Sequence, residues 1–162
     1  MQQTGAFNQK KVKAIADKNV WVTFGQASEC KPGTIISGFQ YGQELAIVCE
    51  PSGKLYAMNN KMPPTAQPAT FGELQGNGII TEPISQTSYN MNSGKVVGQW
   101  CPSPVGKIIR LLVGESGLSM VQVRKQGSSV QCLINVNAKA QFEANYWRGV
   151  LDSQGKVDGG YY

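Results

Sequence analysis

"CEPSGKLYAMNN", residues 49–60, is a hairpin in one line of sequence: Pro51, Ser52 and Gly53 supply the dihedral angles of a tight reversal, and an apolar run stands on either side. Working outward, the preceding run "ELAIVCE" forms one arm and residues 54–58 the other. Further short runs of the same kind follow this pattern: "NVWVTF", "GTIISGF" and "SMVQVRK" are β-branched or alternating and bounded by Gly, Pro or polar residues. The chain therefore reads as all-β, an antiparallel sandwich of roughly eight to ten strands. Strands are expected at 20–24, 33–39, 44–49, 54–58, 78–81, 95–100, 107–113, 119–124 and 130–136. Alternation along these runs predicts burial of Trp21, Ile47, Tyr56, Val97, Leu112 and Val121.

A length of 162 residues accommodates one domain with a core, plus tails. Residues 1–17 read as a basic N-terminal arm, with a helical portion from Asn8 to Asp17 open. Residues 18–139 read as the β domain, within which 60–92 form a smaller, loop-rich lobe. Residues 140–162 form an aromatic tail. Phe142, Tyr146, Trp147 and Leu151 recur at helix-like spacing there, so a short helix and an extended segment both stay open. No apolar run approaches the roughly 20 residues of a membrane-spanning helix. The N-terminus shows no apolar signal core.

The composition removes several function classes. There is no histidine, and Cys30, Cys49, Cys101 and Cys132 form no C-x-x-C pair, so zinc or iron–sulfur ligation at the usual spacings is excluded. Without histidine as base, a serine or cysteine hydrolase of the usual kind is excluded too. Lys107 is the single cation near Cys101 in sequence, which leaves a reactive thiol unsupported. The glycine-rich segment 72–80 neither follows a strand nor opens a helix, so it is a turn region rather than a phosphate loop. Glu73 and Glu82 read as surface carboxylates. The cysteines read as buried free thiols behaving as small apolar residues, with one disulfide open.

The net charge is +5, with Lys10, Lys11 and Lys13 concentrated in the arm. Such an arm suits an acidic protein surface or an anionic membrane face; with no interleaved aromatic residues or arginines, nucleic acid is not expected.

Two stretches carry a family resemblance. "LYAMNNKMPP", residues 55–64, and "IITEPISQTSYNMNSGKVV", residues 79–97, resemble the two cluster-binding loops of Rieske domains, and "VVGQWCP", residues 96–102, resembles their plastid branch. Pro63, Pro83, Tyr89 and Gly94 stand on framework positions of that family. Its four ligand positions fall on Met62, Pro64, Glu82 and Ser85, in place of Cys, His, Cys and His. Gln67 and Ile84 stand where some members carry a loop disulfide. The resemblance implies a Rieske-like sandwich without a cluster, with no cofactor and no catalytic residues.

It further implies a structural or interaction subunit similar to the accessory photosystem subunits of red-lineage algae. Its partners would be photosystem core and antenna proteins, with peripheral contact to the thylakoid membrane, on the stromal side of a plastid. Lys10, Lys11, Lys13, Phe142, Tyr146, Trp147, Arg148, Tyr161 and Tyr162 are the expected partner-binding residues. The loop residues Met62, Pro63, Pro64, Phe71 and Ile84 either form an apolar docking surface or pack inward. The alternative is a cluster-less ferredoxin-like or regulatory component of an oxygenase or cytochrome system.

Overall fold

The structure, a computed structural model, describes residues 14–153, with side chains to Val150. Residues 19–134 form one compact unit; residues 14–18 and the segment from Asn135 onward belong to a second.

In the first unit the strands are β1 (Asn19–Gln26), β2 (Thr34–Gln40), β3 (Gln43–Cys49), β4 (Leu55–Asn59), β5 (Glu73–Gly76), β6 (Ile79–Thr81), β7 (Ser88–Asn90), β8 (Val96–Val97), β9 (Met120–Val121), β10 (Val123–Gln126) and β11 (Ser129–Asn135). They form three sheets, in the orders β1-β11-β10, β2-β3-β4-β9 and β5-β6-β7-β8. The domain is thus the expected mostly antiparallel β-sandwich, and the loop-rich lobe carries a sheet of its own, β5 to β8, which runs from Glu73 to Val97 and so past the expected end at residue 92.

Turn chemistry sets the registers. Tyr41 and Gly42 both have positive φ, the requirement of the two-residue turn whose twist matches its strands, and they pair Gln40 with Gln43. Asn77 and Gly78 do the same between β5 and β6. The hairpin at residues 50–54 closes as the sequence predicts, with Gly53 at φ 90° donating to the Glu50 carbonyl.

A single core joins the main sheet to the lobe. Ala46, Val48, Tyr56 and Met58 from β3 and β4 pack with Met62, Ile80, Tyr89 and Met91 of the lobe and with Trp100, Cys101 and Leu118. A polar tie reinforces this contact: the buried Glu50 carboxylate accepts the Gly78 amide at 2.7 Å. Gly78 has no room for a side chain, since a Cβ there would lie 2.8 Å from the Tyr56 hydroxyl.

Several expectations are corrected. Residues 107–113 are not a strand: α1 (Pro104–Leu112) is a helix, capped by the Ser103 hydroxyl accepting the Gly106 amide, with Pro104 in its first turn. Pro there begins a helix because its missing N–H has no intrahelical partner to lose. Leu112 consequently sits on a solvent-facing helix surface and is exposed, and Val97, at the end of the two-residue edge strand β8, is exposed as well. Ile47 and Tyr56 are buried as expected, while Trp21 and Val121 are half-buried. The Arg124 guanidinium covers the Trp21 ring at 4.2 Å.

The cysteines divide. Cys30 and Cys49 form a disulfide, the option left open beside four buried free thiols, because the pairing of Thr34 with Cys49 brings the preceding loop alongside β3. Cys101 and Cys132 are buried and free.

The second unit is built around Asn135 and Gln141. Lys18 donates its amide to the Asn135 side chain, whose amide group bonds Asp17 and Gln141, and Gln141 donates to the Ile15 carbonyl. Residues 14–18 are irregular, so the helical option up to Asp17 is not realised there. Beyond Asn137 the chain is helical, α2 (Ala138–Ser153), rather than extended.

Candidate functional site

The first of the two loops follows β4. Asn60 anchors it by donating to the Glu44 carboxylate, and Met62 donates its amide to the Gln67 carbonyl at 2.8 Å, closing a narrow turn that contains a cis Pro63–Pro64 bond. The Met62 side chain points away from water entirely and joins the shared core. Pro64 is half-buried.

The second loop connects β6 to β7 and closes with the Glu82 amide on the Thr87 carbonyl at 2.8 Å. Glu73 is a surface carboxylate as expected, but Glu82 is not: the closing of the loop encloses it, and Glu82, Ser85 and Thr87 are all fully buried. An isolated buried carboxylate is costly, so its partners matter. Glu82 Oε1 accepts from the Thr65 hydroxyl at 2.9 Å and from the Ile84 amide at 3.0 Å. Oε2 accepts the Ser85 amide at 2.7 Å and the Ser85 hydroxyl. The network continues through Ser85 Oγ to Thr87 Oγ1, which in turn accepts the Cys101 amide at 3.1 Å. No buried side-chain nitrogen or oxygen among the described residues is left without a partner.

Three more bonds lock the frame. The Tyr89 hydroxyl donates to the Pro63 carbonyl at 2.8 Å, joining β7 to the first loop. Burial, with the neighbouring Cys101, Glu82 and Glu115 adding to it, holds the Tyr89 phenol far above its ordinary range, so it remains a donor. Ser103 donates its hydroxyl to the Ile84 carbonyl and its amide to the Ser85 carbonyl, fastening the start of α1 to the second loop.

The family to which this architecture belongs is shown by comparison. The Rieske-like [2Fe–2S] domain family matches residues 20–133, and the chain is a member of it. In fold it is similar to the ferredoxin of carbazole 1,9a-dioxygenase from Nocardioides aromaticivorans IC177 (15% identity, 70% of this chain and 96% of that one, TM-score 0.55). It is also similar to a proposed NADH-dependent nitrite reductase small subunit from Mycobacterium tuberculosis (16% identity, 72% and 96% coverage, TM-score 0.55). The terminal oxygenase of the same carbazole dioxygenase contains a similar domain (16% identity, 74% of this chain and 31% of that one, TM-score 0.59). No curated protein matches significantly.

A Rieske cluster requires two thiolates on one iron and two imidazoles on the other. The residues present do not fit it. Met62 offers a buried thioether, Pro64 no side-chain donor, Ser85 a hydroxyl already given to Glu82, and both Glu82 oxygens are engaged. Among the described residues, no three His, Cys, Asp or Glu side chains converge.

The remaining expected site residues fall in different places. Of the loop residues, Met62 packs inward, Pro63 and Pro64 are half-buried, and Phe71 and Ile84 are exposed. Phe142, Tyr146, Trp147 and Arg148 lie exposed on α2, with Tyr146 stacked on Phe142 at 6.5 Å and meeting Trp147 edge-on at 5.6 Å. Lys10, Lys11, Lys13, Tyr161 and Tyr162 lie outside the described residues. Thr65 and Thr87 escaped the sequence reading, since nothing marks a loop threonine as a partner for a carboxylate distant in the chain.

Proposed function

We propose that the chain is a non-catalytic docking subunit, a Rieske-like domain that carries no cluster and presents its loops and its aromatic tail to a larger assembly. The observation that carries this reading is the Thr65–Glu82 bond: a side-chain contact spans the two loops that a cluster joins elsewhere in the family, and the surrounding polar groups are paired. The aromatic cluster on α2 supports the second half, since Tyr, Trp and Arg are the usual anchors of protein interfaces.

The assembly we assign it to is a photosynthetic membrane complex, a photosystem with its antenna proteins, on the resemblance of residues 96–102 to plastid-type members. The resemblance implies the stromal face of a plastid thylakoid; the Cys30–Cys49 disulfide is an argument for the lumenal face instead, because disulfides persist in oxidising compartments. The fold neighbours support a second reading, a cluster-less component of an oxygenase or nitrite reductase system. Iron and acid-labile sulfide analysis of the purified chain after anaerobic reconstitution tests the first claim; stoichiometric iron with visible absorption overturns it. Native purification separates the assemblies, by co-migration with a chlorophyll-containing complex or with a soluble oxidoreductase.

A further inference from the structure

Helix α1 is amphipathic in the reverse of the usual sense. The side it turns to the domain carries Gly106, packed against the Cys101 carbonyl and Ser103, and the half-buried Ile109. Its aliphatic residues face water: Leu111 is 83% exposed, Leu112 82%, Ile108 64% and Val105 53%. At 3.6 residues per turn these four fall within an arc of about 120°. Ile84, whose carbonyl is held by Ser103, extends the apolar surface beyond the helix N-terminus.

Charge is distributed as unevenly as hydrophobicity. Lys107 borders the aliphatic arc beside Leu111, Arg110 lies further round toward the opposite face, and the helix contains no carboxylate; Glu115, the nearest in sequence, lies beyond its C-terminus. The aliphatic makeup also discriminates between partners. Protein hot spots favour Trp, Tyr and Arg, with Leu and Val under-represented, whereas a short Leu/Ile stripe bordered by cations suits the boundary between headgroups and acyl chains. Lys and Arg stems bury their methylenes there and keep their charges among the phosphates.

We infer that α1 is a membrane-surface anchor, lying in the plane of an anionic bilayer with Val105, Ile108, Leu111 and Leu112 inserted, Lys107 at the headgroups and Arg110 adding positive charge above them. This stands whichever assembly the chain joins, and it rests on residues other than the aromatic ones of α2.

The test is flotation of the full chain with vesicles of phosphatidylcholine alone or with about one-third phosphatidylglycerol. The expected result is binding to the anionic vesicles, at least tenfold weaker in Leu111→Gln/Leu112→Gln and weakened in a salt-dependent way in Lys107→Gln/Arg110→Gln. These side chains are exposed, so an unchanged melting temperature verifies that the variants fold. Failure of the wild-type chain to float, or equal flotation of the leucine variant, overturns the proposal. So does a wild-type dimer that the leucine variant turns into a monomer, which would make the occupant a second copy. Unchanged vesicle binding with lost association to a protein complex would assign the helix to a protein partner instead.

Discussion

Thr65 and Glu82 lie 17 residues apart in the chain and meet at 2.9 Å, hydroxyl to carboxylate, between the two loops of the lobe. Glu82→Gln retains the shape and removes one acceptor, placing an amide NH₂ against groups that themselves donate. The expected cost is about 1–3 kcal/mol of unfolding free energy, against about 1 kcal/mol for Thr65→Val. Urea denaturation of the two single variants and the double variant measures both, and the double should cost less than the sum because the two residues share a bond.

Gly78 offers a second test. A methyl group there meets the Tyr56 hydroxyl and the Asn92 amide within 3 Å, on a backbone with φ 77°. Gly53, at φ 90°, has nothing within 4 Å. Gly53→Ala should therefore cost about 1 kcal/mol from backbone strain alone, and Gly78→Ala about 2–3 kcal/mol, because displacing Asn92 and Tyr56 adds to the same strain. Equal losses in thermal unfolding would show that the crowding relaxes freely.

The disulfide predicts a thiol count. Unfolded in guanidinium without reductant, the chain should show two titratable thiols, Cys101 and Cys132, and four after reduction. The bridge closes a loop of 19 residues, so its removal in Cys30→Ser/Cys49→Ser should lower stability by about 3 kcal/mol.

Alkaline pH should destabilise the domain. Burial pushes the Cys132 thiol from 9.0 up to about 12 in the folded state, and Tyr89 is raised in the same direction. A raised folded-state value means that the unfolded chain loses its proton first. The stability this represents is intact below pH 9 and declines between pH 9 and 12, by up to about 1.4 kcal/mol per pH unit for Cys132 alone. In Cys132→Ala, the fall in melting temperature across that interval should be shallower than in wild type.

The hairpin at residues 50–54 was legible because turn chemistry is local: Pro and Gly declare their dihedral angles in two or three letters. The family frame was legible from Tyr89, Gly94 and the prolines. Residues 107–113, expected as a strand, were misread for the opposite reason, which lies in Pro104 just ahead of them. Proline restrains φ both in an extended strand and in the first turn of a helix, and only Ser103 in the capping position distinguishes them. The disulfide and the Glu82 network depend on distance in space. The register of β2 on β3 brings Cys30 to Cys49, and the closing of two loops brings Thr65 to Glu82; neither is written in a spacing.

The tie between Glu50 and Gly78 bears on how the lobe behaves under thermal agitation. With one core beneath both sheets and a buried carboxylate holding the tip of the β5–β6 turn, the lobe has no hinge on which to open by itself. Its amides, Gly78 and Met91 above all, should exchange with deuterium only through unfolding of the whole first unit, as one cooperative element. A surface carried on such an element meets a partner already in its bound shape, and little order remains to be imposed when the two come together.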